Sequence, residues 1–215
     1  EIFLFHVESG LRSNNLSMPE ERNRIMVDAI SDLLLIPSED ARENLLKERV
    51  SSDKIHNVGN IMIDTLFKNK SKIIHNSENI KDTLNINKPY FVITLHRPSN
   101  LNDDTLKDIF EAISNFTQDY QVILPAHPRL KNYIGDNNIE LTNIILIDPL
   151  SYIDFMSLVY GCDLVLTDSG GIQEETTYLG INCLTLREET ERPITVQEGT
   201  NKVIGTDKEN IINEI

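Results

Sequence analysis

Asp163-Leu164-Val165-Leu166-Thr167-Asp168-Ser169-Gly170-Gly171-Ile172-Gln173-Glu174-Glu175 reads as an apolar strand, a glycine corner and the start of a helix that ends before Gly180. A strand that turns through such a corner into a helix presents free backbone N–H groups to an anion. The two glycines leave the backbone open to a phosphate, because no Cβ stands in the way. Glu175 lies about one helical turn further in, within reach of the hydroxyls of a sugar carried on that phosphate. The plainer alternative is a core helix capped by Asp168 or Ser169, with the glycines serving a tight turn.

The rest of the chain repeats the alternation. Strands are expected near Glu1 to Val7, Leu33 to Ile36, Ile55 to Val58, Tyr90 to Leu95, Val122 to Leu124, Ile144 to Ile147, Leu164 to Leu166, Leu184 to Leu186 and Val203-Ile204. Between them fall a helix from Pro19 to about Ser31 with Ile25, Met26 and Ala29 inward, and a helix after Ser38 with Ala41, Leu45 and Leu46 on one face. A helix from Ile61 to Phe67, an amphipathic helix from Asp104 to Phe116 and a helix from Tyr152 to Tyr160 follow. Ser17 and Glu20 fit a capping box around Pro19. Strands alternating with helices predict an α/β fold with parallel sheets. Residues 69 to 88 are rich in Asn, Lys and Ser and carry few apolar anchors, so the division expected is 1–70, a linker over 71–88 and a second domain over 89–215.

Composition narrows the function. Of 215 residues, 20 are Lys or Arg and 34 are Asp or Glu, a net charge of −14 that argues against non-specific nucleic-acid binding. No apolar run approaches the roughly 20 residues that span a bilayer, and no signal peptide is visible. Cys162 and Cys183 sit beside apolar runs, outside any metal or redox spacing, and read as free thiols in a reducing cytoplasm. The first residues read as a strand without a lead-in and the last as a helix cut short, so a longer parent protein is expected.

In parallel sheets ligands lie beyond the carboxyl ends of the strands. His6 and Glu8 leave the first strand, His96 and Arg97 the Tyr90 strand, and His127 and Arg129 the Val122 strand. Asp168 to Gly171 leave the Leu164 strand, with Arg187 and Arg192 after the Leu184 strand. An acidic chain that gathers His and Arg on one edge suggests an anion site. Glu8, between an apolar strand and Gly10, is a candidate base if apolar walls raise its basicity. Glu21 and Arg24 fit a solvated i,i+3 pair.

Six stretches occur in one order across nearly the whole chain: His6-Val7-Glu8-Ser9-Gly10-Leu11-Arg12, Pro19-Glu20-Glu21-Arg22-Asn23-Arg24, Val58-Gly59-Asn60-Ile61-Met62-Ile63-Asp64, Thr94-Leu95-His96-Arg97, Asp168-Ser169-Gly170-Gly171-Ile172-Gln173-Glu174-Glu175 and Thr190-Glu191-Arg192-Pro193. Together they resemble the UDP-N-acetylglucosamine 2-epimerase family. The resemblance implies two Rossmann-like halves of a glycosyltransferase-B-type fold, the N-terminal one incomplete here. It implies reversible conversion of UDP-N-acetylglucosamine to UDP-N-acetylmannosamine by elimination and re-addition of UDP, with no metal or other cofactor, in a cytoplasmic homodimer. It places proton transfer at C2 on Glu8 and Glu20, and charge stabilisation of departing UDP on His96. Ser169, Gly170 and Gly171 then hold the diphosphate and Glu175 the ribose, while Arg97 and His127 match positions that in some bacterial members touch a second, activating UDP-sugar.

The sequence departs from the family in two places. An amino-terminal glycine/arginine motif and a further catalytic aspartate are absent, which predicts that the 215-residue chain alone binds UDP weakly without turnover. Thr94-Leu95-His96-Arg97-Pro98-Ser99-Asn100 differs from the His-Arg-Arg-Glu-Asn form of bacterial members, which weakens the case for an activator site. A hydrolysing epimerase that releases N-acetylmannosamine and UDP, a glycosyltransferase of the same architecture and a non-catalytic UDP-sugar-binding module are the competing readings.

Overall fold

The computed structural model describes residues 2–215, with backbone only at residue 103, and Glu1 of the first expected strand lies outside the described residues. Two parallel sheets carry the chain. The first holds β1 (Phe5–Val7), β2 (Leu33–Ile36) and β3 (Ile55–Asn57) in that order, with α1 (Pro19–Ile30) and α2 (Glu39–Lys47) as crossovers. The second holds β4 (Tyr90–Thr94), β5 (Gln121–Pro125), β6 (Ile144–Ile147), β7 (Leu164–Thr167), β8 (Asn182–Thr185) and β9 (Asn201–Val203), in the order β6-β5-β4-β7-β8-β9. The crossovers in this sheet are α4 (Asp103–Ser114), α5 (Pro128–Asp136), α6 (Tyr152–Tyr160), α7 (Gly170–Leu179) and the short α8 (Pro193–Gln197), and α9 (Lys208–Glu214) closes the chain. The strand order reverses between β4 and β7, and such a reversal opens a crevice at the carboxyl edge of a sheet.

The second sheet is apolar on both faces. Phe91, Ile93, Leu124 and Leu166 pack against Leu106, Ile109, Phe110 and Ile113 of α4, the inward residues expected from sequence. Val92, Ile123 and Val165 pack on the other face against Met156, Leu158 and Val159 of α6. The first sheet has a smaller core of Leu11, Leu34, Ile36, Ala41, Leu45 and Ile55. Leu46, expected beside Ala41 and Leu45, is exposed.

Two expectations are corrected here. The helix expected to end at Phe67 does not end there: α3 runs unbroken from Ile61 to Thr83, through most of the stretch read as a connection between domains. Its polar composition is compatible with a helix because one apolar residue every second turn is enough to seat it. Leu66, Ile73 and Ile80 are buried in the α6 side of the second core, Asn76 and Ser77 lie on the same side, and Lys68, Ser71, Lys72 and Asn79 are exposed. Asn60 caps its start by accepting from the N–H groups of Met62 and Ile63. Asn85, at φ 54°, ends it, with Ile86 N–H donating to the Lys81 carbonyl and Asn85 N–H to that of Asp82.

The second correction concerns α1. Ser17 does not form the capping box, because its hydroxyl donates to Asn15 Oδ1 and Met18 takes the cap position. Ala29 and Met26 are exposed, and the side chains that α1 buries are Glu21 and Asp28. The loop beneath is the reason. Ser13 and Asn14 donate their N–H groups to Glu21, and Gly10 donates its own to Asp28. A helix face that must satisfy buried backbone donors carries carboxylates rather than hydrocarbon.

Candidate functional site

At the β4/β7 reversal the two expected strand-exit loops meet. Asp168, fully buried, accepts from the backbone N–H of His96 and of Arg97 at 3.1 and 2.9 Å, and from Asn100 Nδ2 at 3.2 Å. His96 Nδ1 lies 2.6 Å from Asp168 Oδ1. Burial pushes the Asp168 carboxyl up, but the His96 ring and these N–H donors outweigh it and hold the group below its ordinary value. An ionised aspartate there assigns the Nδ1 proton to His96 and leaves Nε2 as the reactive edge. His96 keeps half its side chain in solvent, so that edge is reachable.

Ser169 caps α7 without a side-chain bond to the helix, and Gly170 and Gly171 form its first turn. The sequence assigned the glycines to phosphate approach or to a tight turn, and the structure also gives each a packing neighbour. A Cβ on Gly170 would stand 2.5 Å from Glu191 Oε1, and one on Gly171 2.5 Å from Met62 Cε. Five residues into α7, Glu175 is 3% exposed and accepts from the Tyr152 hydroxyl at 2.8 Å. Burial raises its carboxyl above the ordinary range, and the Tyr152 bond opposes the rise.

From the first half, Glu8 follows β1 in the left-handed region, at φ 65°, an uncommon conformation for a residue with a Cβ. Its loop is braced from below. Asp28 accepts from His6 Nδ1 at 2.5 Å, Gly10 N–H at 3.1 Å and Arg12 Nη2 at 2.6 Å, and Arg12 also grips Glu48. Gly10, at φ 79°, admits no side chain, since a Cβ would stand 2.5 Å from the Ala41 carbonyl oxygen. So braced, Glu8 Oε1 accepts from Arg192 Nη2 at 2.9 Å, a contact between the two halves.

A charge cluster surrounds that contact. Arg192 Nε also faces Glu174 at 3.2 Å. Glu191 lies 2.8 Å from Arg187, 3.5 Å from Arg97 and 3.7 Å from Arg24. Burial raises the Glu191 carboxyl, and the arginines, Arg187 foremost, override it and bring it down to about 2. Glu174 ends above its ordinary value because burial outweighs Arg192. Arg187 Nη1 and Arg192 Nη1 are buried without a hydrogen-bond partner, whereas Arg187 Nη2 and Arg192 Nε face Glu191 and Glu174 as ion pairs. Buried guanidinium N–H groups in that condition are donors suited to a bound anion.

The remaining expected residues divide. Glu20 is exposed and, with Met18, Arg97, Asn100 and Arg187, lines a cleft of about 580 Å³ between the halves. His127 caps α5 by accepting from Arg129 N–H, and no hydrogen bond or ion pair joins it to His96, Arg97 or α7 among the described residues. Glu21 is a correction: it bonds Arg24 at 3.0 Å, as spaced, but is 1% exposed rather than solvated. Sequence reasoning missed Asp168 as the partner of His96, Glu174 and Glu191 in the charge cluster, and Tyr152. Glu174 and Glu191 lay inside quoted motifs, whereas Asp168 and His96 are 72 residues apart and nothing local pairs them. Among the described residues no group of three or more His, Cys, Asp or Glu is placed to hold a metal ion, and no helix is long and apolar enough to cross a membrane.

A family profile described as UDP-N-acetylglucosamine 2-epimerase matches residues 1–215. The chain belongs to the UDP-N-acetylglucosamine 2-epimerase family. The UDP-N-acetylglucosamine 2-epimerase of Methanococcus maripaludis is 40% identical over 97% of the chain, and that of Bacillus subtilis 39% identical over 98%. The crystal structure of the Methanocaldococcus jannaschii UDP-GlcNAc 2-epimerase in complex with UDP-GlcNAc and UDP superposes with a TM-score of 0.90 at 41% identity, over 99% of this chain and 61% of that one. The Neisseria meningitidis enzyme bound to UDP-GlcNAc gives 0.89 at 35% identity, over 99% and 60%. The chain spans about 60% of the length of these epimerase-family relatives. Its two parallel sheets are accordingly those of the glycosyltransferase-B-type fold.

Proposed function

We propose that the protein is a UDP-N-acetylglucosamine 2-epimerase, acting on the nucleotide sugar by elimination and re-addition of UDP. The observation that carries this reading is the contact of the two sheets beside the start of α7: Glu8 bonds Arg192, whose Nε lies 3.8 Å from where a Gly170 Cβ would stand, and Asp168, next to Ser169, braces His96. In the forward step a carboxylate takes the C2 proton, the C–H pair becomes the C1=C2 double bond, and the C1–O bond breaks with its electrons going to UDP. Re-addition of UDP at C1 and delivery of a proton to the opposite face of C2 gives the epimer. Glu8 and Glu20 serve the two proton transfers, and the exposure of Glu20 on the cleft wall leaves it access to a bound sugar.

UDP leaves as an anion, so oriented N–H groups and cations at the leaving group lower the barrier. The α7 N-terminus, His96 and the unpartnered Nη1 groups of Arg187 and Arg192 are suited to that work. A C2–H is a weak acid, and closure of the two halves around it excludes water. Glu175 takes the ribose hydroxyls. In this reading Arg97, on the cleft wall, and His127, at the start of α5, touch a second UDP-sugar. A homodimer in the cytoplasm belongs to the same reading.

The test is proton NMR of UDP-N-acetylglucosamine with the intact protein in deuterium oxide. Deuterium at C2 with UDP-N-acetylmannosamine accumulating supports the proposal. Free N-acetylmannosamine with UDP would replace it by the hydrolysing reaction, and no exchange at C2 would overturn it.

A further inference from the structure

Tyr152 opens α6 and Glu175 lies in α7, and the two helices begin at the same edge of the second sheet. The Tyr152 hydroxyl stands 2.8 Å from Glu175 Oε1. Among the described residues this is the one hydrogen bond the Glu175 carboxylate makes. Its other oxygen, Oε2, has no protein partner yet is not sealed from solvent. A carboxylate on a buried residue, held by one oxygen and open at the other, is suited to receive a donor from outside. Burial and the Glu175 charge keep the phenol protonated, so the tyrosine is the donor of the pair. Tyr152 itself is 40% exposed, so its hydroxyl is not needed for core packing.

We propose that Tyr152 is a positioning residue for ribose recognition: its hydroxyl pins one oxygen of the Glu175 carboxylate and aims the other at the vicinal hydroxyls of a bound uridine nucleotide. The proposal rests on the reading of Glu175 as the ribose acceptor. A glutamate side chain has several rotatable bonds, and fixing it before the ligand arrives removes an ordering cost from binding. Tyr152 touches no part of the sugar that reacts, so its effect belongs to affinity and to the choice of nucleoside. Turnover at saturation is left alone.

The experiment is titration calorimetry of the intact protein with UDP and with 2′,3′-dideoxy-UDP, using the wild type, Tyr152→Phe and Glu175→Ala, with thermal unfolding as a check on the fold. The wild type should prefer UDP, and Glu175→Ala should abolish the preference. Tyr152→Phe should reduce the preference by roughly threefold to tenfold, entirely through weaker UDP binding, with affinity for the dideoxy ligand unchanged and a cooperative unfolding transition retained at a modestly lower melting temperature. Full preference in Tyr152→Phe, or equal weakening of both ligands, overturns the proposal while leaving Glu175 as the ribose acceptor. Full preference in Glu175→Ala overturns the ribose reading itself and this proposal with it.

Discussion

Arg192 and Glu8 are 184 residues apart in sequence, lie on loops of different sheets, and share a hydrogen bond of 2.9 Å. The same guanidinium faces the buried Glu174. Truncating it strands one buried carboxylate and one partly exposed one. Arg192→Ala should therefore destabilise the protein by about 3 kcal/mol, the lower end of what breaking a buried ion pair costs. Urea unfolding of the variant measures this, and an unchanged midpoint would show that the pair contributes nothing to holding the halves together.

Glu8→Gln separates chemistry from architecture at that contact. A glutamine keeps an acceptor for Arg192 but cannot take a proton from carbon. Stability should stay within about 1 kcal/mol of the wild type, and UDP affinity within roughly tenfold. Epimerisation should fall by at least about a hundredfold. Near-normal deuterium exchange at C2 in this variant removes Glu8 from the mechanism.

Asp168→Asn tests the histidine brace. The amide offers one acceptor oxygen where the carboxylate offered two, so the backbone N–H of His96, that of Arg97 and the imidazole compete for it. The ring then loses the partner that fixes its tautomer. Turnover should fall roughly a hundredfold or more, and His96→Ala in the Asp168→Asn background should add little, because the two act as one unit. Fully additive losses, read from the four rate constants of the cycle, would show that they act separately.

Acid stability turns on Glu191. Its folded-state value near 2 lies below the ordinary carboxylate value of 4.5. A depressed carboxyl adds stability that is fully present above its unfolded value and is lost as pH falls through the window from about 4.5 down to about 2. Glu174 and Glu175 are raised, so their contributions have the opposite sign and fade as pH rises above the unfolded value. The expected profile is a fall in stability below about pH 4.5 on the order of a few kcal/mol, shallower in Glu191→Gln. Denaturant unfolding followed from pH 6 down to pH 3 reads it, and identical slopes in the two proteins would contradict it.

Much of this was legible before the structure. The apolar runs at 33–36, 90–93 and 164–166 became strands where expected, because three or four consecutive apolar residues between turn signals suit a sheet covered on both faces. The strand-exit rule brought His96, Arg97 and Asp168 to Gly171 to one crevice. Helix α3 was misread because local composition outweighed a sparse period: Leu66, Ile73 and Ile80 sit seven residues apart, and the polar residues between them hid the stripe. The face of α1 was misread for another reason. Its neighbours are backbone N–H groups, which no periodicity of hydrophobic residues can announce. The Asp168–His96 and Tyr152–Glu175 contacts depend on helix and strand order, which a single sequence does not display.

The adjacent glycines of α7 should respond unequally to alanine. At Gly171 the new methyl meets the Cε of Met62, the far end of a flexible side chain that can move aside. At Gly170 it meets Oε1 of the Glu191 carboxylate, whose two oxygens Arg97 and Arg24 on one side and Arg187 on the other hold in place. Displacing that carboxylate separates buried charges, so Gly170→Ala should cost several times more than Gly171→Ala, about 3 kcal/mol against about 1. It should also blunt the acid-stability profile, since Glu191 no longer sits among its arginines. Comparing the urea midpoints of the two variants at neutral pH decides the matter: equal losses would mean that the Glu191 carboxylate is free to leave the start of α7.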